Sequence, residues 1–432
     1  MEILKYPVQD KWPVLLRRPD TGLQALTGRV EQILKTVRGE GDSALISYTK
    51  QFDGINLNAL QVSENEMEEA EVDTALRDAI NLSINSLTVF HKSQMESIKK
   101  IETAPGVFCW RKSVPIERVG FYIPGGSAPL FSTVLMLAVP ASIAGCKDII
   151  LCTPPGDKGN VHPAILYSAR ITGISDIFKV GGAQAVAAMA YGTESIPRVD
   201  KIFGPGNNYV TIAKQLVSME GIAIDLPAGP SEVAVVGDDN ADADIIACDL
   251  LSQAEHGPDS QVVFITNSQR KLTQVEKSIN EIVRTLPRAD LATEALKHSK
   301  LILLHSLDEI MAMINAYAPE HLILSVKEAE IMAGKVENAG SVFLGYHTPE
   351  SAGDYASGTN HTLPTAGFAR SYSGVSLDSF IRKITFQTIT PDGLKVIGPA
   401  VMTMARKEGL LAHSLAVSRR LDKLKGKGRS DG

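Results

Sequence analysis

The sequence predicts an α/β protein built around two largely parallel sheets. From about residue 117 onward, short runs of β-type residues alternate with helical patterns, and such alternation is typical of parallel βα units. These runs outnumber the strands of a usual single sheet, which favours two sheets. The runs that we interpret as strands are RVGFYI, DIILCT, IFKV, DKIFG, IAIDL, EVAVV, QVVFIT, LILL, HLILSV and SVFLG.

Helical patterns lie between these strands and dominate both ends of the chain. Roughly the first 100 residues are mostly helical in pattern, and a helical pattern returns after Phe386. Between the strands, helices are predicted at 161–171, 183–191, 207–219, 241–256 and 268–285. In the fourth of these, Asn240 is the expected N-cap and Gly257 the expected stop. Gln253 and His256 therefore fall in its last turn.

Composition places the chain among ordinary globular proteins. Its 432 residues suffice for two or three domains, and its net charge of −6 argues against a general nucleic-acid binder. The start carries no secretory pattern, and the longest apolar run, TVLMLAVPASIAG, is broken by Pro140 and too short to span a membrane. The four cysteines form no C-x-x-C pair. We therefore predict a cytoplasmic protein with no nucleic-acid or membrane partner.

The C-terminal segment SRRLDKLKGKGRSDG carries six basic residues. Such a run could attract an anion or a nucleic acid. A solvated helix end with a frayed tail is the favoured interpretation.

Three glycine-rich segments each follow a predicted strand and lead into a helix. They are IPGGSAP (123–129), VGGAQA (180–185) and FGPGNN (203–208). Turns of this kind expose backbone N–H groups and a positive helix end, which suit a phosphate or a carboxylate. None fits G-x-G-x-x-G, and each alone could be a simple connection. Because three such turns occur in one region, an anion or nucleotide site is as plausible as three simple connections. The turns do not identify the cofactor.

The segment LLSQAEHG interrupts an apolar stripe with polar side chains. Gln253 and His256 are three residues apart, so on a helix they share a face. They could hold a ligand together. Alternatively, His256 interacts with the last helix carbonyls while Gln253 is solvated.

A second unusual segment spans residues 345–367, with hardly an aliphatic side chain. Loops of this length are uncommon in compact domains unless they are functional or disordered. The polar residues concentrated here are His347, Glu350, Asp354, Tyr355, Asn360 and His361. This composition favours a binding loop over a disordered one.

Two further pairs combine an acid with a histidine. Glu320 and His321, in APEHLILSV, fall at the entrance of a strand, where neighbours point to opposite faces unless the strand edge is irregular. An acid beside a base suits two proton transfers, but an exposed strand edge is the alternative. Glu408 and His413 are five apart and share no helix face, so a common role requires a break near Gly409 or a ligand that spans the two directions. Two unrelated residues on a helix surface are the favoured alternative.

Imidazole and carboxylate side chains of this kind suit zinc and related divalent ions. No H-E-x-x-H is present, which argues against a zincin. The residues alone therefore indicate a His/Asp/Gln metal site, with the metal left open.

Taken together, these motifs resemble those of the histidinol dehydrogenase family. The resemblance runs from about residue 25 to about residue 420 and follows the family's order. The segments that carry it are VGFYIPGGSAPLFSTVLMLAVPA, VGGAQAVAAMAYGT, FGPGNNYV, IDLPAGPSEV, LLSQAEHG, PEHL, ESAGDYASGTNHTLPT and EGLLAH. So many long matches make a chance resemblance very improbable.

The resemblance implies NAD-dependent, four-electron oxidation of L-histidinol, through L-histidinal, to L-histidine, the last two steps of histidine biosynthesis. It implies one zinc ion per active site, which orients the substrate. The implied ligands are Gln253, His256, Asp354 and His413. His413 would come from the partner subunit, so the implied functional unit is an intertwined homodimer with shared active sites.

The resemblance also implies roles for single residues. His321 is the expected general base for the alcohol proton, and Glu320 is expected to activate water for attack on the aldehyde. The implied substrate contacts are Ser231, Gln253, His256, His321, Glu350, Asp354, His361, Glu408 and His413, with Glu408 also from the partner. The implied NAD contacts are Tyr122, Gln184 and Asn207.

For the fold, the resemblance implies two Rossmann-like, incompletely doubly wound sheet domains with small helical extensions at both ends. The expected divisions are an N-terminal arm at 1–22, a zinc- and substrate-binding α/β domain at 23–118 with 233–378, an NAD-binding α/β domain at 119–232, and a C-terminal helical extension at 379–432 that contacts the partner subunit.

Three other hypotheses stay open on the residues alone. Aldehyde oxidation could use a cysteine nucleophile, for which Cys109 and Cys146 are the candidates. The protein could be a zinc hydrolase with Glu320 as base. It could also be a non-catalytic protein that binds an amino acid or a nucleotide.

Overall fold

The computed structural model describes residues 1–19, 22–125, 129–227 and 229–427. Its strands are β1 (Glu2–Lys5), β2 (Ile101–Ala104), β3 (Val107–Pro115), β4 (Arg118–Tyr122), β5 (Asp148–Thr153), β6 (Asp176–Lys179), β7 (Lys201–Phe203), β8 (Ala223–Ile224), β9 (Glu232–Gly237), β10 (Gln261–Thr266), β11 (Lys300–Leu303), β12 (His321–Ser325), β13 (Ser341–Leu344) and β14 (Ile381–Ile389). Its α-helices are α1 (Trp12–Leu15), α2 (Leu23–Glu40), α3 (Asp42–Asp53), α4 (Glu64–Glu68), α5 (Thr74–Lys92), α6 (Phe131–Ala144), α7 (Pro163–Ile171), α8 (Gly182–Tyr191), α9 (Asn208–Met219), α10 (Ala243–Ala254), α11 (Gln269–Ile282), α12 (Ala289–Lys297), α13 (Leu307–Tyr317), α14 (Ala329–Ala333), α15 (Glu350–Tyr355), α16 (Pro391–Lys407) and α17 (Leu411–Lys427).

These elements form two compact units. The larger unit contains Met1–Ser93 and Ile116–Phe380, and the smaller one contains Gln94–Pro115 and Ile381–Gly432. In the part of the chain that the structure describes, no helix combines the length and the apolar character that a membrane crossing requires.

The larger unit contains a six-stranded parallel sheet with the order β1-β11-β10-β9-β12-β13. Its central strand β9 buries both faces. Val233 and Val235 belong to one apolar cluster, and Ala234 and Val236 belong to another. Because side chains alternate along a strand, the two clusters lie on opposite sides of the sheet. Helices cover both faces, as expected for a parallel sheet.

The same unit contains a five-stranded parallel sheet with the order β6-β5-β4-β7-β8. The chain moves outward from β4 in one direction and from β7 in the other. The carboxyl ends of β4 and β7 therefore flank the point where the winding reverses, the usual place for a ligand crevice. Helix α6 packs against this sheet with ten consecutive buried residues, which explains why the longest apolar run has no polar face.

The smaller unit is an antiparallel sheet with the order β14-β3-β2, followed by the helix pair α16 and α17. The helices carry few buried side chains. Several apolar residues of this unit are exposed in the single chain: Ile384, Phe386, Ile389, Val396, Val401, Met404, Leu410, Leu411 and Leu415. This pattern is typical of a surface that another chain covers.

The predicted fold class, α/β with largely parallel sheets, is confirmed. All ten strands expected from the sequence form, and each lies in one of the two parallel sheets. The expectation of a mostly helical end after Phe386 is right from Pro391 onward, but β14 continues to Ile389. Strands β1, β2 and β3 were not expected, because charged residues break their apolar patterns. The proposed domain divisions stay a prediction.

Three local predictions near the polar segments are wrong. Helix α10 begins after Asp242, whose carboxylate accepts hydrogen bonds from the N–H groups of Asp244 and Ile245, so Asn240 is not its cap. The helix ends at Ala254, which places His256 in the turn beyond it. The segment 345–367 is not all loop, because Glu350–Tyr355 forms helix α15.

Candidate active site and cofactor cleft

Glu320 and His321 are held together by the backbone of one residue on the neighbouring strand. The N–H of Glu232 donates to Glu320 Oε2 at 2.8 Å, and His321 Nδ1 lies 3.2 Å from the Glu232 carbonyl oxygen. This geometry exists because β9 and β12 pair in parallel with His321 opposite Val233. Glu320 precedes the strand, so the two side chains can address one site from an irregular strand edge.

The environment of this pair sets its protonation. Burial raises the pKa of Glu320 well above its usual value, and nearby carboxylates add to the rise. Burial lowers the pKa of His321 to about 3. With Nδ1–H donating to the Glu232 carbonyl, His321 Nε2 is the unprotonated nitrogen, and among the described residues it has no hydrogen-bond partner. A neutral imidazole with a free nitrogen can accept a proton.

Two carboxylates lie close to His321, and an amide contacts one of them. His321 Nε2 lies 3.8 Å from Asp354 Oδ1. His321, Glu350 and Asp354 each offer a ligand atom, and these atoms lie within 4.8 Å of one another. The amide of Gln253, in the last turn of α10, donates to Glu350 Oε1. Helix α15 brings Glu350 and Asp354 to the site one turn apart.

The electrostatics of this cluster favour a cation. Burial raises the pKa of Asp354 to about 6 and the pKa of Glu350 well above its usual value, with the Asp354 charge contributing to the latter. Within the described residues, Gln253 Oε1 and Glu350 Oε2 are buried oxygens without a hydrogen-bond donor. Carboxylate and amide oxygens beside an imidazole nitrogen are a donor set that suits zinc. The residues present therefore fit a divalent metal ion.

His256, Ser231 and His361 complete the walls. His256 Nδ1 lies 3.5 Å from Ser231 Oγ, and burial lowers the pKa of His256. His361 Nδ1 lies 3.1 Å from the Asp354 carbonyl oxygen, and its Nε2 lies 3.2 Å from Thr133 Oγ1. Burial lowers the pKa of His361 to about 4. Both histidines are therefore neutral at neutral pH. Both ring nitrogens of His361 contact protein groups, whereas the contact of His256 is made by Nδ1.

These residues enclose one cavity of about 610 Å³. Eight of the predicted site residues line it: Asn207, Ser231, Gln253, His256, Glu320, His321, Asp354 and His361. Glu350 is buried beside Gln253 and contacts the cluster from outside the lining. Such a volume suits a small molecule with several polar groups.

A second cleft of about 1070 Å³ lies at the carboxyl edge of the five-stranded sheet. The three glycine-rich turns follow β4, β6 and β7 of this sheet, although residues 126–128 of the first turn lie outside the described part. Tyr122, Gln184 and Asn207 all line the cleft. Three residues, Pro124, Asn207 and Tyr209, line both this cleft and the smaller cavity, so the two spaces adjoin.

The polar groups of the cleft are fixed by their neighbours. Tyr122 Oη accepts a hydrogen bond from the N–H of Gly182 at 3.1 Å. Asn207 Oδ1 caps α9 by accepting from the N–H groups of Tyr209 and Val210, which leaves its amide nitrogen for a ligand. Gln184 is buried in the first turn of α8.

Glu408 and His413 lie in the smaller unit. Glu408 ends α16, Gly409 adopts a left-handed conformation with φ of +77°, and His413 falls in the first turn of α17. The chain thus departs from helix at Gly409, which is one of the conditions under which Glu408 and His413 could serve one site.

The two cysteine candidates differ in position. Cys146 is half-buried, and burial raises the pKa of its thiol to about 11, which disfavours the nucleophilic thiolate. Cys109 lies in β3 of the smaller unit.

Sequence reasoning missed Glu232, whose backbone contacts Glu320 and His321, and Arg18, whose side chain contacts Glu232. Glu232 is a buried charge at the start of an otherwise apolar strand. Buried acidic residues are rarely unpaired, so this charge was the available signal.

Comparisons with known proteins place the chain in one family. The family model described as histidinol dehydrogenase matches residues 16–421. The chain is 57% identical to a histidinol dehydrogenase of Bacteroides thetaiotaomicron over 98% of its own length and 100% of that protein. It is 48% identical to the chloroplastic histidinol dehydrogenase of Arabidopsis thaliana, over 96% of this chain and 89% of that one.

A solved structure gives the same result for the fold. The crystal structure of histidinol dehydrogenase from Elizabethkingia anophelis matches with a TM-score of 0.97 and 51% identity, over 98% of this chain and 99% of that one. The chain belongs to the histidinol dehydrogenase family.

Proposed function

We propose that this protein oxidises L-histidinol through L-histidinal to L-histidine, with reduction of two NAD, in histidine biosynthesis. The observation that carries the proposal is the neutral His321 imidazole, whose Nε2 has no hydrogen-bond partner within the described residues. It lies in a cavity that adjoins a cleft lined by glycine-rich turns. Membership of the family supports the choice of substrate.

NAD is proposed to bind in the larger cleft, against Tyr122, Gln184 and Asn207. When bound there, NAD supplies the hydride acceptor for both oxidations. Support comes from the three turns, whose backbone N–H groups and following helix ends suit phosphate groups. The contact of the cleft with the smaller cavity supports close approach of the two ligands.

Zinc is proposed to bind Gln253, His256 and Asp354, together with His413 of the partner subunit. When bound, zinc supplies a fixed positive charge that orients the substrate. The unpaired buried oxygens and the raised carboxyl pKa values near Asp354 support a cation there.

The ligand atoms of His321, Glu350 and Asp354 lie within 4.8 Å of one another. Of these three residues, only Asp354 belongs to the proposed zinc ligands. His321 is proposed as the base and not as a ligand, because a nitrogen bound to metal cannot accept a proton. Glu350 Oε1 already accepts from Gln253, which suits a role in orienting that ligand and contacting the substrate.

The first oxidation requires removal of the alcohol proton. His321 Nε2 accepts it, while the Glu232 carbonyl holds the Nδ1–H tautomer and stabilises the positive ring. The second oxidation requires water to attack the aldehyde. The Glu320 carboxylate, a stronger base because of burial, removes a proton from that water. His321 acts again as the general base in this second oxidation. Ser231, His361, Glu350 and Glu408 of the partner subunit are proposed to contact the substrate.

The functional unit is proposed to be a homodimer with shared sites. The exposed apolar side chains of the smaller unit support an interface on it, since a single chain leaves them in water. Glu408 and His413 lie next to these side chains in sequence, at the junction of α16 and α17.

Absorbance of NADH during complete turnover of histidinol tests the function. We expect about two NADH for each histidinol consumed. A ratio near one with accumulating aldehyde would contradict the coupled reaction. Ligand hydrolysis without NADH would favour a zinc hydrolase, and binding without turnover would favour a non-catalytic protein.

Chelation tests the metal in the same assay. Thorough removal of metal should abolish turnover, and added Zn²⁺ should restore it. Circular dichroism of the chelated protein is the control for unfolding. Full turnover after chelation would contradict the proposed metal site.

A further inference from the structure

Glu232 connects three parts of the larger unit at the base of the proposed active site. Its backbone N–H lies 2.8 Å from Glu320 Oε2, and its carbonyl oxygen lies 3.2 Å from His321 Nδ1. Its side chain points to other partners. One carboxylate oxygen, Oε1, accepts from the N–H of Ala366 at 2.6 Å, which ties it to the end of the polar segment 345–367.

The other partner of Glu232 comes from the N-terminal arm. Arg18 donates from Nε to Glu232 Oε1 at 2.5 Å and from Nη2 to Oε2 at 2.7 Å, a bidentate ion pair. The Glu232 side chain is 3% exposed and the Arg18 side chain 21% exposed. The guanidinium therefore compensates a charge that water does not reach.

Arg18 also holds the residues that lead into the catalytic pair. Its Nη2 donates to the carbonyl oxygens of Tyr317 at 2.9 Å and Ala318 at 3.3 Å, and its guanidinium lies 4.3 Å from the centre of the Tyr317 ring. Ala318 has a positive φ of 53°, which is unfavourable for a residue other than glycine. Contacts of this kind stabilise such a turn, here two residues before Glu320.

Arg18 thus contacts both chain segments that carry or hold Glu320 and His321. It fixes β9 through the Glu232 carboxylate and the chain entering β12 through two carbonyls. We propose that Arg18 and Glu232 are a positioning pair that sets the geometry of Glu320 and His321, and so controls turnover more than affinity for substrate. This inference rests on the proposed function, because it assigns the controlled step to that reaction.

Kinetics of Arg18→Met and Glu232→Gln in the full-length protein test the proposal. We expect kcat for histidinol to fall about 10- to 100-fold, because small displacements of catalytic groups have effects of this size. KM for histidinol and for NAD should change by less than about 3-fold, since neither side chain lines the cavities. The metal content of the two variants should equal that of the wild type.

Arg170 offers a matched control. It donates to the carbonyl oxygens of Met67, Glu68 and Ala70, and its guanidinium lies 5.4 Å from the centre of the Tyr167 ring. These contacts are with α4, the residues just after it and α7, on the face of the five-stranded sheet. Arg170→Met should therefore lower thermal stability while leaving kcat within about 2-fold of the wild type.

The proposal would be overturned if kcat fell as much in Arg170→Met as in Arg18→Met. It would also be overturned if Arg18→Met and Glu232→Gln raised KM and left kcat unchanged. If Arg18→Met does not fold, Arg18→Lys decides, because lysine keeps the charge but not the planar fork. A kcat of the lysine variant equal to that of the wild type would also overturn it. A wild-type protein that makes no NADH from histidinol would instead refute the proposed function.

A crystal structure of the Arg18 variant gives a readout that does not depend on activity. The Glu320 and His321 side chains should be displaced or disordered relative to β9. Wild-type positions for both side chains would refute the positioning role, whatever the reaction.

Discussion

Lys214 and Asp225 form a buried ion pair that binds both backbone polar groups of Gly204. Lys214 Nζ lies 2.5 Å from Asp225 Oδ1 and donates to the Gly204 carbonyl at 2.9 Å. Asp225 Oδ2 accepts from the Gly204 N–H at 2.8 Å. A side chain has no room there, because φ is +119° and a Cβ would overlap the carbonyl oxygen of Tyr122. The pair therefore fixes the turn that leads to Asn207 in the cofactor cleft.

Replacement of Lys214 should weaken NAD binding. Lys214→Met leaves the Asp225 charge buried and unpaired, so we expect a loss of about 3 kcal/mol in the free energy of unfolding. We also expect a rise of about 10-fold in KM for NAD with KM for histidinol unchanged, because the turn carrying Asn207 loses its support. Steady-state kinetics with each substrate varied separately measure this difference.

Lys271 is the control for loss of a buried lysine. It is buried in α11 and donates to the Ala241 carbonyl, away from the residues that line the cleft. Lys271→Met should leave KM for NAD unchanged. An equal rise in both variants would show that general destabilisation, not the turn, sets NAD affinity.

Glu320→Gln should separate the two oxidations. An amide oxygen can still accept from the Glu232 N–H, so the local geometry is preserved, but the general base for water is lost. We expect the oxidation of histidinal to slow by about 100- to 1000-fold and the oxidation of histidinol much less. Single-turnover measurements started from each compound give the two rates.

His321→Asn is the comparison for Glu320→Gln, because it removes the base used in both oxidations and should slow both. Equal losses in the two half-reactions of Glu320→Gln would argue against the proposed assignment of water activation.

Mixed dimers test the shared active site. Subunits with His413→Ala and subunits with Gln253→Ala should each be inactive alone. A heterodimer of the two contains one intact site, so it should show about half of the wild-type activity. Affinity-tagged heterodimers, purified and assayed for NADH production, provide the measurement.

A second mixture controls for exchange artefacts. Gln253→Ala and Asp354→Ala affect residues of the same unit, so each site in their heterodimer keeps one defect. No activity is expected from it. Failure of the His413 and Gln253 mixture to exceed this control would mean that His413 serves its own subunit.

His91 should make the fold sensitive to acid. Its side chain is buried in α5, Nδ1 contacts the Leu87 carbonyl oxygen at 2.9 Å, and burial lowers its pKa. The folded protein therefore favours the neutral ring, and the unfolded chain takes up a proton more readily. The stabilisation is present above pH of about 6.5 and is lost as the pH falls from there toward the lower folded pKa.

Urea unfolding between pH 7.5 and 5 measures this effect. His91→Gln removes the titrating ring and keeps a side-chain donor, so its stability should fall less steeply with decreasing pH. His347→Asn, at an exposed position, is the control. An unchanged slope in His91→Gln would contradict the prediction.

The strands were predictable because apolar β-type runs end at glycine or polar residues, as in EVAVVG and QVVFIT. The order of the strands in the sheets was not predictable, since pairing depends on tertiary contacts.

The site shows the same limit. The sequence marked the residues around Gln253, Glu320 and Asp354 as unusual, but their meeting in one cavity depends on how β9, α10 and α15 are placed. The support from Arg18 lies more than two hundred residues from Glu232 and leaves no local pattern.

The site also departs from the usual rule for parallel sheets. Ligand crevices normally lie at carboxyl ends of strands. The proposed NAD cleft follows this rule on the five-stranded sheet, but Glu232 and His321 begin their strands, so the catalytic candidates lie at the amino edge of the six-stranded sheet. Strand order alone would have placed them at the wrong edge.

Strand β1 has a consequence for solubility. It is four residues long, carries Glu2 and Lys5, and pairs with the apolar strand β11, where Lys300 forms an ion pair with Glu2 at 2.5 Å. Short charged strands at a sheet border discourage pairing with other molecules. A shortened chain that starts after β1 would present the unpaired amides and carbonyls of β11 to solvent, and self-association through that border is the expected result.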